Sequence, residues 1–228
     1  ADRAALRYLD KTRQSAKGML EFIQLLSNQE LLTTSNQDPY VRTHPPSLQR
    51  IKFLRNHISK SQHSNVPIAN HIEEMYGRIK AKIGAFIQPI NQTMRAYPVS
   101  DISVQARYAR AIAYYRKPDL EAAILLIDEL ITEMPNDAYF HELKGQILFE
   151  NGYARKALLA YEKSVQLLPE ASLIRANLGQ IQLELNDPTL LPFAVANFKI
   201  SLDKTPQRAF IWRQLGIAYG KLNKMGKS

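Results

Sequence analysis

The chain has 228 residues, of which 45% are hydrophobic and 22% charged, with a mean hydropathy of −0.30 and a formal net charge of +9. This balance excludes a disordered tail and is enough to bury a core. The absence of cysteine excludes disulfides and thiol chemistry, and no apolar run approaches the roughly 18–20 residues of a membrane span.

Residues 1–10 read as a helix with Ala5, Leu6 and Leu9 on one side. Lys11–Ser15 breaks it, and Ala16–Leu32 resumes with Met19, Phe22, Ile23 and Leu26 at helical spacing. Thr33–Pro46 has the Thr, Ser, Asn, Asp and Pro content of a loop. Ser47 is positioned as the N-cap of a helix carrying Leu48, Ile51, Leu54, Arg55 and Ile58, which fades into the polar stretch Ser59–Asn65. Between Pro39 and Ile72 the chain holds Arg42, Arg50, Lys52, Arg55 and Lys60 and no acid. Nucleic acid or an anionic membrane surface would be drawn to such a stretch. No nucleic-acid motif accompanies the bases, so the stretch reads as a solvated basic helix face.

The clearest single amphipathic helix follows. Ile68, Ile72, Met75, Tyr76, Ile79, Ile83, Phe86 and Ile87 recur in steps of three and four, and Pro89 ends or kinks the helix. A stripe of this kind serves a membrane surface or a partner in some proteins, but it reads first as core. Tyr97-Pro98 closes the segment. These divisions give a first domain over 1–66, a linking amphipathic helix over 67–102, and a repeat region over 103–228.

The repeat is the strongest signal. Pro135 and Pro169 lie 34 residues apart, which is the tetratricopeptide period. Aligned on them, Ala111, Gly145, Gly179 and Gly216 fall at one slot of the first helix, where two helices of a pair cross closely. Ala123, Ala157 and Ala194 fall at the matching slot of the second helix, and Ile127, Tyr161 and Phe198 place a large residue four positions later. The units are 103–137, 138–171, 172–208 and a partial 209–228. The third is lengthened around Asn186–Pro192, with two prolines expected in its turn. The expected fold is all-α, a helical N-terminal segment followed by a right-handed tetratricopeptide superhelix. The fourth unit supplies a first helix only, whose apolar face needs a neighbour outside this sequence.

First helices line the inner groove of such repeats, and the groove slots here hold Tyr108, Tyr115, Tyr139, Glu142, Gln146, Phe149, Gln180, Phe210 and Arg213. Aromatic rings with scattered amides suit an extended peptide or a protein loop. Each of these tyrosines is equally well explained as packing between repeats. The Lys/Asn clamp that takes C-terminal carboxylates in chaperone-docking repeats is missing, since its key slots hold Tyr108, Ile112 and Leu143.

Read by itself the chain lacks an active site. None of His44, His57, His63, His71 and His141 forms the H-E-x-x-H pair that places two zinc ligands on one helix turn, and His57, His63 and His71 are expected to face solvent. No Gly-rich phosphate loop or nucleophile elbow occurs.

Two stretches nevertheless carry a family resemblance. Ala1-Asp2-Arg3-Ala4-Ala5-Leu6-Arg7-Tyr8-Leu9 resembles the helix that bears the third zinc ligand, in an E-x-x-A-D motif, in the HtpX/BepA/Oma-type zinc metallopeptidases. The run Thr43-His44-Pro45-Pro46-Ser47-Leu48-Gln49-Arg50-Ile51 is similar to that family's T-H-P-x-x-x-x-R-I element. The likeness covers roughly residues 1–60, and the repeats follow in the order seen in periplasmic members. It implies that the ligand Glu and the H-E-x-x-H helix lie upstream of Ala1. Asp2 then corresponds to an acceptor that orients a ligand histidine. His44 corresponds to a loop histidine near the metal that stabilises the oxyanion or fills the open zinc position, and Arg50 to an arginine holding that loop or sharing the charge. Zinc in the parent protein would activate water for peptide hydrolysis, whereas this fragment is expected to hold no catalytic zinc and cleave nothing.

Two functions follow as expectations. One is the C-terminal part of a periplasmic or envelope zinc metalloendopeptidase, its repeats recruiting protein substrates or docking on an envelope assembly complex. The other is a non-enzymatic scaffold binding protein partners. Neither calls for nucleic acid.

Overall fold

The computed structural model describes residues 1–29 and 48–225 and divides into two compact units, residues 1–75 and 76–228. Among the described residues the secondary structure is twelve helices and no strands.

The first unit contains α1 (Asp2–Lys11), α2 (Lys17–Gln29) and α3 (Leu48–Ile58). Leu6, Ala16, Ile23, Ile51 and Leu54 form its buried core, with Leu9, Met19, Leu20 and Ile58 packed around them. The helical spacing in the sequence is thus realised, although Phe22 of the expected stripe is exposed. The helix ends at Ile58 and gives way to the polar stretch Ser59–Asn65, as read from the sequence. Ser64 is buried, its hydroxyl donates to the Ile58 carbonyl, and its own carbonyl accepts from Ser15 Oγ at 2.8 Å. The expected Thr33–Pro46 loop, the Ser47 cap and His44 lie outside the described residues.

Continuous with this unit, α4 (Asn70–Ile87) runs into the second, followed by α5 (Ile90–Ala96). Three complete helix pairs come next: α6 (Val104–Arg116) with α7 (Leu120–Glu133), α8 (Ala138–Glu150) with α9 (Ala154–Leu167), and α10 (Ser172–Glu184) with α11 (Leu191–Lys204). The unpaired α12 (Ala209–Met225) ends the array. Side-chain caps start the earlier helices: Ser103 Oγ accepts from Ala106 N at 3.3 Å, Asp119 Oδ1 from Ala122 N at 3.2 Å, and Asp137 Oδ1 from Tyr139 N at 3.0 Å. Each first helix crosses its second at the small residue read from the sequence. A Cβ added to Gly145 would collide with the Tyr161 ring, and one added to Gly179 would come within 2.9 Å of Phe198. This is the right-handed tetratricopeptide-type superhelix that the 34-residue period implies.

Two local expectations are corrected. Pro192 does not sit in the turn of the lengthened third unit but in the first turn of α11, where its missing N–H leaves no helix bond unmade. That turn is held by Asp187, whose Oδ1 accepts from the backbone and the hydroxyl of Thr189 at 3.0 and 2.7 Å. Most of the apolar stripe of α4 is not core. Ile72, Met75, Tyr76, Ile79, Ile83 and Ile87 are all exposed, while Ala81 and Ala85 are completely buried. The helix packs through its small residues, which join the buried cluster of the repeats, while of the bulky stripe Phe86 packs partly against that cluster and Ile79, Ile83 and Ile87 stay exposed.

Candidate functional site

The inner face of the repeats is built from the first helices, and at α6 and α8 it already holds a helix. Within the second unit, Ala81 and Ala85 of α4 join one buried cluster with Tyr108, Ile112, Phe140 and Leu143. Polar contacts bracket this small face. Arg78 Nη1 pairs with Asp137 Oδ2 at 2.7 Å, and Lys82 Nζ with Glu142 Oε2 at 2.8 Å. The Arg78 guanidinium also stacks 4.5 Å from the Phe140 ring centroid, and Lys82 Nζ lies 5.5 Å from that of Tyr139. At the other end of α4, Arg116 Nη1 donates to the carbonyls of Ala85 and Gln88 at 2.6 and 2.7 Å, satisfying acceptors that the helix end leaves open. Phe86 meets the Tyr115 ring edge-on at 6.4 Å.

Four of the sequence-derived groove residues are therefore brought together beneath α4. Tyr108 is 2% exposed and tilted against Phe140 at 5.2 Å, and its hydroxyl has no partner. Burial pushes its phenol far above the usual tyrosine range, with the Glu142 carboxylate adding to the shift. Glu142 is buried but salt-bridged. Tyr139 keeps half its surface and Tyr115 part of its own. The Tyr115 hydroxyl donates to Glu150, whose other oxygen accepts from Gln146 Nε2 at 3.1 Å.

The remaining groove residues are not drawn into that cluster. Gln146, Phe149 and Gln180 are partly exposed along α8 and α10, and Phe210 and Arg213 are exposed on α12. The clamp slots hold buried Ile112 and Leu143. Sequence reading missed Arg78, Ala81, Lys82 and Ala85. Their signal was present as two alanines four apart, flanked by two bases four apart, on the helix face opposite the isoleucines.

In the first unit, Arg50 and Asp2 meet 48 positions apart in sequence. Arg50 Nε and Nη2 donate to the two Asp2 oxygens at 2.7 and 2.8 Å, a bidentate pair on partly buried side chains. These hydrogen bonds hold the Asp2 carboxyl below its usual pKa. His57 does not stand free in solvent, because its Nε2 lies 3.3 Å from Asp10 Oδ1, which also accepts from Ser61 Oγ at 3.0 Å. Among the described residues, no group of three His, Asp or Glu is placed to hold a metal ion. Among the described residues, then, no set of side chains fits a zinc ion, and the Asp2 carboxylate is turned to Arg50. No helix among the described residues is long and apolar enough to cross a membrane.

No family model matches the chain. The DnaJ homolog subfamily C member 3 of Gallus gallus is 28% identical over 126 residues, 55% of this chain, which spans about a quarter of that relative's length, 24%. Among solved structures, MamA MSR-1 superposes with a TM-score of 0.52 at 19% identity, covering 67% of this chain and 90% of its own. MamA AMB-1 gives 0.52 at 19% identity over 68% and 86%. Likeness at that identity bears on the fold alone, and it agrees with the helical-repeat superhelix.

Proposed function

We propose that the chain is a protein-interaction scaffold whose repeats hold a helical or extended segment of a partner on their inner face. The observation that carries this reading is α4 itself. A helix with a small-residue face and two flanking bases is seated on Tyr108, Tyr139, Asp137 and Glu142, which supports the reading that this surface takes a helical segment. Because α4 covers the first pair, the surface open to a partner runs from Gln146 and Phe149 through Gln180 to Phe210 and Arg213. Partly exposed rings and amides give contact area and hydrogen bonds without a fixed charge requirement. Panning the full chain against a displayed peptide library tests the reading. A Phe149→Ala/Phe210→Ala variant should lose selected peptides by about tenfold or more, with Leu159→Ala, exposed on α9, as the control. Undiminished binding by the double variant moves the surface elsewhere.

A second reading, the recruiting arm of an envelope or periplasmic zinc metallopeptidase, is supported by one observation. Asp2 and Arg50, matched separately to two motifs of that family, form a bidentate pair. In that reading their pairing holds α3 against α1. The test is the genomic sequence upstream of Ala1, where an H-E-x-x-H helix, an E-x-x next to Ala1 and a signal peptide are required together. An upstream sequence without H-E-x-x-H sinks it and leaves the scaffold reading intact.

A further inference from the structure

On the outer faces of two second helices runs a stripe that the packing of the repeats does not use. At positions four apart, α7 has Glu121, Leu125 and Glu129, and α9 has Arg155, Leu159 and Lys163. The 34-residue offset that relates Ala123 to Ala157 also relates these residues one to one, so the stripes hold the same three slots of successive repeats. One stripe is acid–Leu–acid and the other base–Leu–base. Leu125 is 60% exposed and Leu159 67%. A groove of about 430 Å³, lined by Ile124, Leu148 and Tyr153 among others, separates the two helices within one copy. Among the described residues none of Glu121, Glu129, Arg155 and Lys163 is in an ion pair. Lys163 reaches Gln166 on its own helix at 3.4 Å, and Glu129 and Arg155 act on Arg107 and Asp187 through their fields. The only acid of α9, Glu162, falls at the slot of Asp128, which Lys144 neutralises at 2.6 Å.

We infer that this outer face is a two-fold interface between two copies of the chain. The occupant is a second copy because the chain itself carries the complement of each stripe. Successive second helices of a repeat array run in the same direction. Turning a second copy about an axis along the groove therefore lays its α9 on α7 and its α7 on α9. Same slot meets same slot: Glu121 with Arg155, Leu125 with Leu159, and Glu129 with Lys163, each contact made twice as an isologous interface requires. The leucines supply the buried area. The charges, individually worth little at a surface, set the register and reject a face of the wrong sign. This face lies on second helices and the inner groove on first helices, so the inference does not depend on the groove reading.

Sedimentation velocity of the full chain is the test, carried to about 0.2 mM because two helices from each copy make a small interface. The expected result is a monomer–dimer equilibrium that weakens by about fivefold or more in about 0.5 M salt. Glu121→Arg with Glu129→Arg, or Arg155→Glu with Lys163→Glu, should each leave a monomer, since every slot then meets its own sign. Mixing these two variants one to one should restore a dimer containing one copy of each. The milder Leu159→Ala should weaken the dimer by about tenfold while peptides selected on the inner face stay bound, which separates the two surfaces. A chain that stays monomeric at the highest concentration overturns the proposal, as does a dimer that survives either charge reversal. Two reversed variants that do not associate on mixing remove the slot pairing and the two-fold arrangement with it. Open-ended assemblies in place of a dimer mean head-to-tail contact and equally overturn it.

Discussion

Arg78 and Asp137 are joined at 2.7 Å, and the same aspartate uses its other oxygen to cap the first turn of α8. One carboxylate thus starts a repeat helix and anchors the helix lying across it. Both side chains are largely buried, 19% and 11% exposed, so removing one partner strands the other. Arg78→Met should destabilise the second unit by about 2–4 kcal/mol, less than a fully buried pair because water still reaches both groups. Urea unfolding followed by circular dichroism checks this, and a change under about 0.5 kcal/mol would make the pair a surface contact.

The glycines at the helix crossings separate by what lies above them. Gly145→Ala should cost about 1–3 kcal/mol, because the Tyr161 ring must shift inside a packed core. Gly216→Ala meets open space and should stabilise α12 by about 0.5–1 kcal/mol through its helix preference. Thermal unfolding of both variants decides the matter, and equal effects would contradict the packing described.

The Asp2–Arg50 pair makes the first unit acid-sensitive. Hydrogen bonds from Arg50 lower the folded-state pKa of Asp2 below its unfolded value near 3.8. Its contribution is therefore present above that value and is lost as pH falls through the lower folded pKa. Hydrogen exchange of α1 and α3 amides across pH 5 to 2, referenced to intrinsic rates, should show protection falling through this window. Asp2→Asn should be less stable at neutral pH and show a flatter acid limb.

Three of the eleven tyrosines, Tyr108, Tyr115 and Tyr161, should ionise late on alkaline titration. Burial is the largest cause in each and raises the folded-state pKa, so the stability they contribute is intact below about pH 10 and is lost as pH rises further. Difference absorbance near 295 nm should show a lagging set that appears together with unfolding. Phe substitution at Tyr108, whose hydroxyl has no partner, should shrink the lagging set without loss of stability.

The repeat architecture was legible in the residues because it rests on a local rule repeated: a small residue at the crossing, an alanine opposite, a large residue four positions on, and a proline at the end. Each of these acts within one helix pair, and Gly145 with Tyr161 and Gly179 with Phe198 realise it directly. The groove positions on α6 and α8 were read from the same rule. Their occupant was not. Periodicity marks the bulkiest stripe of α4, and that stripe read as core.

What the sequence by itself determined is the set of helices, their pairing and the slots that close each pair, since 34-residue spacing and small residues specify short-range packing. Tertiary structure alone decided which face of α4 is buried, that Tyr108 is covered, and that Asp2 meets Arg50. Those outcomes depend on ion pairs and side-chain packing between segments tens of residues apart: Arg78 to Asp137, Lys82 to Glu142, Ala81 and Ala85 in one cluster with α6 and α8 residues. An alanine face bracketed by two bases outcompeted a wider apolar one because it fits nearer to the repeats and finds two carboxylates there. Hydrophobic pattern ranks faces by area, whereas packing ranks them by fit and by the partner each charge finds.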